Sequence, residues 1–246
     1  MPNVKLIDFT GCGRKDESLH AAHILVFTKA TRLNMNPSLF QQIKDMPEPE
    51  LSKELDYMAG TIPSSWEFVD LTFLISNVTR ACAQQITRTR TASYAMQSQR
   101  VNDLSGATVT NPYEPGHELY DPFDASSAAT NDIYKSLISR GATPQDARGI
   151  LPMNVQCNLV AKYNLRSLVE LLQARRSLRT QGEYATIADQ MYAAVLEVWP
   201  WAKPFFADKH ASAIELLEAA AKEVGITTGT GPGWSIAKAI DLLRKS

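Results

Sequence analysis

Cysteine, histidine and net charge are all scarce in this chain, and each scarcity excludes something. Cysteine occurs three times in 246 residues, at Cys12, Cys82 and Cys157. An odd, widely spaced set argues against a disulfide framework and sets a reducing cytoplasm as the expected compartment. The four histidines, His20, His23, His117 and His210, form no HExxH pattern and have no CxxC partner, so no metal site is expected. His20 and His23 lie three apart in an expected helix and read as surface or half-buried side chains. No apolar run reaches the ~18 residues of a membrane-spanning helix. The first residues lack the apolar stretch and small-residue cleavage site of a secretory signal. Neither a membrane nor a leader is therefore expected. With 25 basic and 26 acidic residues the formal charge is −1, which excludes a globally basic binder of nucleic-acid polymers.

What is present fits a soluble globular chain: 44% hydrophobic and 21% charged residues, enough for a core without staples. Residues 4–9 read as a strand, with Gly11 and Gly13 turning the chain after it. Helices are expected at 18–28 and 51–58, with breakers at 60–65. Residues 69–76 alternate, with Val69, Leu71, Phe73 and Ile75 on one face, so a half-buried strand is expected. Asn77 reads as the cap of a helix over 78–88. Residues 101–130 read as a long loop or insertion, because 101–125 are rich in Gly, Pro, Asn and Asp. Further helices are expected at 131–139, at 144–150 behind Thr143-Pro144, at 164–177 with a Leu165, Leu168, Leu172 seam, and at 183–198. Two more, 211–224 and 236–244, make a C-terminal extension over 206–246. The length fits one α/β domain with extensions over 1–246.

Arginine is distributed unevenly. Residues 54–134 contain no lysine but four arginines, Arg80, Arg88, Arg90 and Arg100. Residues 71–102 hold no acid at all, and neither does 171–182, which carries Arg175, Arg176 and Arg179. Arginine is favoured over lysine where a planar fork must meet phosphate or carboxylate. Around Arg88 and Arg90 the neighbours are Thr, Ser, Gln and small residues, a hydrogen-bonding surface suited to a phosphorylated, base-bearing ligand. The glycine-rich run at 229–233 lacks a Lys-Ser/Thr ending and reads as a linker. Cys157 has no adjacent base and reads as a small half-buried residue, not a nucleophile.

The segment Arg88-Thr89-Arg90-Thr-Ala-Ser93-Tyr94-Ala-Met96-Gln97-Ser98-Gln99-Arg100 resembles the signature of the flavin-dependent thymidylate synthases. That signature is Arg-His-Arg, seven residues, then Ser and a closing Arg. Gln85 stands three residues before Arg88, as in the family. A second block agrees: Ala147-Arg148-Gly-Ile-Leu151-Pro152 resembles Ala-Arg-x-x-Leu-Pro, and Asn164-Leu-Arg166-Ser167-Leu168 resembles Asn-Ala-Arg-Ser-Leu. Arg175 follows at the family's next arginine, and Gln181-x-Glu183 at its Gln-x-Glu element. The resemblance runs over about residues 60–205.

The resemblance implies an α/β (α+β) fold, a mixed sheet with a helical bundle, in a cytoplasmic homotetrameric flavoprotein with active sites shared between subunits. This would be a methyltransferase of nucleotide biosynthesis that converts dUMP to dTMP. FAD would be its cofactor, with methylene-tetrahydrofolate and NADPH as co-substrates and no cysteine nucleophile. By the same resemblance Gln85, Arg88, Gln97, Ser98, Gln99, Arg100, Arg148 and Arg175 bind the nucleotide, and Arg175 is catalytic at the uracil edge. Arg88, Thr89, Arg90, Asn164, Arg166 and Glu170 line the flavin. Five positions depart from the pattern. Thr89 replaces a histidine, Met96 an acid or amide, and Glu170 stands near a family asparagine. Histidines are also absent at 60–62 and at Phe68. The departures keep two alternatives open: a methyl or hydroxymethyl transferase acting on another pyrimidine deoxynucleotide such as dCMP, and a non-catalytic nucleotide-binding relative.

Overall fold

A computed structural model describes residues 1–32, 35–176 and 182–207. The expected helices at 211–224 and 236–244, the glycine run at 229–233, and Arg179, Gln181 and His210 lie outside the described residues. The chain divides into two compact units, Met1–Phe205 and Phe206–Ser246.

In chain order the first unit contains β1 (Asn3–Phe9), α1 (Glu17–Lys29), α2 (Pro37–Lys44) and α3 (Glu48–Thr61), then a 3₁₀ stretch (Pro63–Phe68). It continues with β2 (Asp70–Thr79), α4 (Arg80–Ile86), β3 (Ala92–Met96), α5 (Tyr120–Ser139) and α6 (Pro144–Ala147), the last running into a 3₁₀ turn (Arg148–Ile150). β4 (Gln156–Asn164), α7 (Leu165–Arg175), α8 (Gly182–Val198) and all but the last residue of a 3₁₀ stretch (Pro200–Phe206) complete it. The α+β class holds. The sheet order is β1-β2-β4-β3 and every pairing is antiparallel, so the sheet is not mixed.

The alternation read in the sequence sets the inner face of the sheet. Val69, Leu71, Phe73 and Ile75 are all 0% exposed. Register pairs Phe73 with Ala161 and Ile75 with Leu159, and pairs Ala161 in turn with Tyr94 on β3. One apolar row therefore crosses three strands, and α7 and α8 pack against this core. Gln190 of α8 ties down the edge strand: its Oε1 accepts from the Val4 N–H at 2.8 Å, and its Nε2 donates to the Pro2 carbonyl at 3.2 Å. An aromatic chain Phe9, Trp199, Trp201, Phe205, Trp66 links β1 to the segment before β2, each ring within 5.9 Å of the next. Gly11 sits at φ +109°, and a Cβ there would come 2.5 Å from the Glu17 carbonyl oxygen, so the turn into α1 requires glycine.

Several expectations need correction. Asn77 is not a helix cap. It lies at φ 57° where the β2–β4 register shifts, its N–H donates to Asn158 Oδ1 at 2.9 Å, and the strand continues to Thr79. Asparagine tolerates this left-handed backbone better than other non-glycine residues. The cap of α4 is Thr79, whose hydroxyl accepts from the Cys82 N–H. The loop expected over 101–130 ends at Leu119, since α5 already begins at Tyr120 and carries Pro122 in its first turn, where proline is tolerated. α2, β3 and β4 were not anticipated. Thr143 caps α6 as expected, whereas Asn164, expected as the first residue of its helix, is the cap of α7; their side-chain oxygens accept from the Asp146 and Ser167 N–H groups. α6 is only four residues long.

Asn77→Gly should leave stability unchanged or raise it slightly, whereas Asn77→Val should cost ~1–2 kcal/mol, because a β-branched side chain is strained at positive φ. Urea denaturation of the two variants checks this. Equal stabilities would contradict the backbone assignment.

Candidate functional site

The end of β2, the start of α4 and the start of α8 meet at one joint. The Glu183 carboxylate accepts from the Thr79 N–H at 2.8 Å and from the Thr79 hydroxyl at 2.6 Å. The same hydroxyl oxygen accepts from the Cys82 N–H at 3.1 Å. Around this joint stand Arg80, Cys82, Cys157, Arg175 and Tyr184. The Arg175 guanidinium lies over the Tyr184 ring, 4.9 Å from its centroid. Arg80 Nη1 donates to Met96 Sδ at 2.6 Å, and its charge acts on the Cys157 thiol.

Neither cysteine is activated. Burial, with Glu183 and Cys157 adding to it and Arg175 opposing, pushes the Cys82 thiol up to about 12. Burial likewise raises Cys157, with Arg80 pulling the other way. Cys157 is buried rather than half-buried. Tyr184 is pushed up to about 12, chiefly by burial, and burial holds Tyr163 well above the usual phenol range. The hydroxyls of both tyrosines are buried without a well-aligned hydrogen-bond partner among the described residues. Tyr94, by contrast, directs its hydroxyl to the Ile86 and Thr89 carbonyls at 2.9 and 3.0 Å, which fixes the turn carrying Arg88 and Arg90.

The residues singled out in the sequence separate along the β3–β4 pair. Register places Ala92 opposite Tyr163 and Met96 opposite Leu159, about 13 Å apart along a strand at ~3.3 Å per residue. At the Ala92 end lie Arg88, Thr89 and Arg90, next to the start of α7. Ser167 donates to Thr91 Oγ1 at 3.0 Å, and Asn164 caps the helix. Arg166 is held by Glu67 at 2.8 Å and Glu170 at 3.1 Å. At the Met96 end lie residues 97–100. Gln97 and Asn158 exchange hydrogen bonds, the Gln97 N–H donating to the Asn158 carbonyl and Gln97 Oε1 accepting from the Asn158 N–H. The Arg100 N–H donates to Ser98 Oγ at 3.1 Å, and Gln99 is half-buried beside it. Gln85 is half-buried on α4.

Arg148 stands apart. It begins the 3₁₀ turn beyond α6, beside a small core of Leu104, Tyr134 and Ala147, and its side chain makes no hydrogen bond or ion pair among the described residues. The chain therefore does not bring Arg148 into contact with the other expected ligand residues. Arg88, Arg90 and Arg100 are exposed and, among the described residues, have no carboxylate partner either. Sequence reasoning passed over Arg80, Tyr163 and Tyr184. For Arg80 a signal was available: it is the first arginine of the acid-free stretch and directly follows a Thr cap.

His23 is more buried than expected. It packs on α1 with its Nδ1 4.0 Å from Asp16 Oδ2, and burial lowers its basicity against the pull of that carboxylate. The described residues contain no group of three or more His, Cys, Asp or Glu that could hold a metal ion. Among them, no helix is long and apolar enough to cross a membrane.

Fold and site together define an α+β protein that gathers guanidinium groups, without carboxylate partners among the described residues, along one edge of an antiparallel sheet. The chain belongs to the thymidylate synthase complementing protein family, whose model matches residues 6–201. It is similar to the flavin-dependent thymidylate synthase of Pyrococcus furiosus, 32% identical over 158 residues, which are 61% of this chain and 65% of that one. It is also similar to the enzyme of the same name from Saccharolobus solfataricus, 28% identical over 214 residues, covering 81% and 75%. The matched region spans a little under two thirds of the length of the Pyrococcus protein. The fold matches the crystal structure of a UMP/dUMP methylase, PolB from Streptomyces cacaoi, bound with 5-Br dUMP. The TM-score is 0.64 at 17% identity, covering 83% of this chain and 94% of that one.

Two predictions follow from the joint and its thiols. Glu183→Ala should destabilise the fold by ~2–4 kcal/mol, because it strips charge-assisted partners from a buried N–H and hydroxyl; chemical denaturation measures it. A thiol reagent at pH 8 should modify exposed Cys12 in the native protein and reach Cys82 and Cys157 only on unfolding. Peptide mass mapping reads the result, and rapid native labelling of Cys82 would contradict its assigned burial.

Proposed function

We propose that this chain is a flavin-dependent thymidylate synthase, the single catalytic domain of a cytoplasmic homotetramer with shared active sites. It would reductively methylate dUMP at C5 with methylene-tetrahydrofolate, FAD and NADPH. The observation that carries the reading is the pairing of an unneutralised arginine set with cysteines held as thiols. Arg88, Arg90, Arg100 and Arg175 make no ion pair among the described residues, while burial raises both Cys82 and Cys157. A site built for an anionic nucleotide and lacking a thiolate suits methyl transfer that does not proceed through a cysteine adduct.

On this reading Ser98, the backbone at Gln97 and Gln99, and Arg100 hold the phosphate, and Gln85 and Arg88 hold the rest of the nucleotide. Arg175 sits at the uracil edge. The Tyr184 ring beneath its guanidinium fixes its plane. The guanidinium therefore stabilises negative charge as it develops at N3 and O4, which makes C5 nucleophilic. Arg148 is not in contact with these residues within one chain, so its part is assigned to the nucleotide site of a neighbouring copy.

The donor set at the Ala92 end fits an anionic dinucleotide. Arg88 and Arg90 are exposed with no ion pair among the described residues, and the start of α7 lies beside them. Arg88, Thr89, Arg90, Asn164, Arg166 and Glu170 would hold FAD there, with Arg166 already oriented by Glu67 and Glu170. The flavin supplies hydride chemistry that no side chain here can. The separation of about 13 Å along β3 leaves room for both ligands to lie side by side on this edge.

Purified protein should be yellow, retain FAD, and convert dUMP to a product one methyl group heavier. Arg175→Ala should lower kcat at least ~100-fold, the scale of losing a charge-stabilising donor, while leaving the melting temperature near that of the wild type. Mass gain on dCMP instead of dUMP would redirect the assignment to another pyrimidine nucleotide. Nucleotide binding with no flavin uptake would identify a non-catalytic relative.

A further inference from the structure

Arg80 is half-buried at the start of α4, beneath the Met96 end of β3. Its hydrogen-bond acceptor among the described residues is the Met96 thioether at 2.6 Å, the Cys157 thiol lies near enough to feel its charge, and no carboxylate lies within ion-pair distance. Thioether and thiol sulfurs are weak acceptors, so most of the five N–H donors of this guanidinium remain unspent. A cation withdrawn from water without a counter-charge is costly. The nearest acid of the joint, Glu183, already accepts two hydrogen bonds from Thr79. Met96 is the last residue of β3, and Ser98 follows two positions on, the repeat that returns a side chain to the same face of an extended strand.

We propose that Arg80 is a further substrate-binding residue, a guanidinium that meets the phosphate of the nucleotide from beneath the loop 97–100. Met96 is what keeps it available. An acidic side chain at that position would neutralise Arg80 internally, whereas the thioether only parks it. The inference rests on the nucleotide reading of this edge and adds a contact that reading does not include. It also gives Met96 a purpose: this chain trades an internal acceptor for a stronger grip on the ligand's charge.

The test is calorimetric titration of the purified, flavin-loaded protein with dUMP and with deoxyuridine, which lacks the phosphate. Wild type should bind dUMP more tightly than deoxyuridine. Arg80→Gln should weaken dUMP about tenfold or more, the worth of one hydrogen bond between charged groups, and leave deoxyuridine unchanged. Met96→Glu should weaken dUMP by a similar factor with Arg80 still in place, and Met96→Gln should stay within about twofold of the wild type. Equal dUMP affinity in the wild type, Arg80→Gln and Met96→Glu would overturn this proposal and leave the nucleotide reading intact. Parallel loss of dUMP and deoxyuridine binding in Arg80→Gln, without loss of dUMP affinity in Met96→Glu, would show a structural role only and would also overturn it. Failure of the wild type to bind dUMP at all would instead overturn the nucleotide reading, and this proposal with it.

Discussion

The contact between Thr79 and Glu183 organises this molecule. One threonine ends the central strand, caps α4 through its hydroxyl oxygen, and gives both its N–H and its hydroxyl proton to a carboxylate on α8. A hydroxyl can donate once and accept twice, so these bonds coexist without competition. The consequence is positional. Arg80 and Cys82 leave the strand in a fixed direction, Tyr184 is held one residue beyond the carboxylate, and the Tyr184 ring in turn seats Arg175. Side chains from three elements far apart in sequence converge because one polar joint fixes the origin of two helices. The joint also commits the local acid, so the arginines around it keep their charge for something else.

That economy of acids explains a balanced total charge beside an arginine-rich edge. Arg14, Arg166 and Arg176 do find carboxylates, and all three lie outside residues 71–102. Within that stretch there is no acid to find. The exposed arginines there remain solvated at little cost, but Arg80 is half-buried and has only sulfur to lean on. Burial distinguishes these cases, because desolvation turns an unpaired guanidinium from a neutral surface feature into an unmet demand.

The legible parts of the fold were those with strong contrast between faces. Val69, Leu71, Phe73 and Ile75 alternate cleanly and are fully buried. The seam Leu165, Leu168, Leu172 is buried on α7 as its spacing dictates. β3 escaped notice because its buried side is Ala92, Tyr94 and Met96 with Ser93 and Ala95 between, a weak contrast on an edge strand of five residues. β4 alternates too, but Cys157 and Ala161 are small and Val160 fills an outward position, so the period is blurred. Asn77 was misread because a capping residue and a left-handed bulge residue share the same chemistry: a short side chain that competes with the backbone. Only pairing with β4 tells them apart.

The sequence groups the candidate residues but not their arrangement in space. Spacing in the sequence grouped Arg88, Arg90, Ser98 and Arg100 into one motif. In the structure a single short strand divides that motif, with Arg88 and Arg90 near the start of α7 and residues 97–100 near the start of β4. Period-two geometry makes this division unavoidable, since a chain that runs extended for five residues cannot bring its two ends to one point. A motif split this way serves two ligand groups better than one. Tyr94 sits at its centre, where its hydroxyl braces the turn on one side and its ring packs edge-on against Tyr163 beneath the sheet. The spacing between the two arginine clusters is therefore set by the core. A change at Tyr94 would alter the distance between the clusters before it altered either cluster's chemistry.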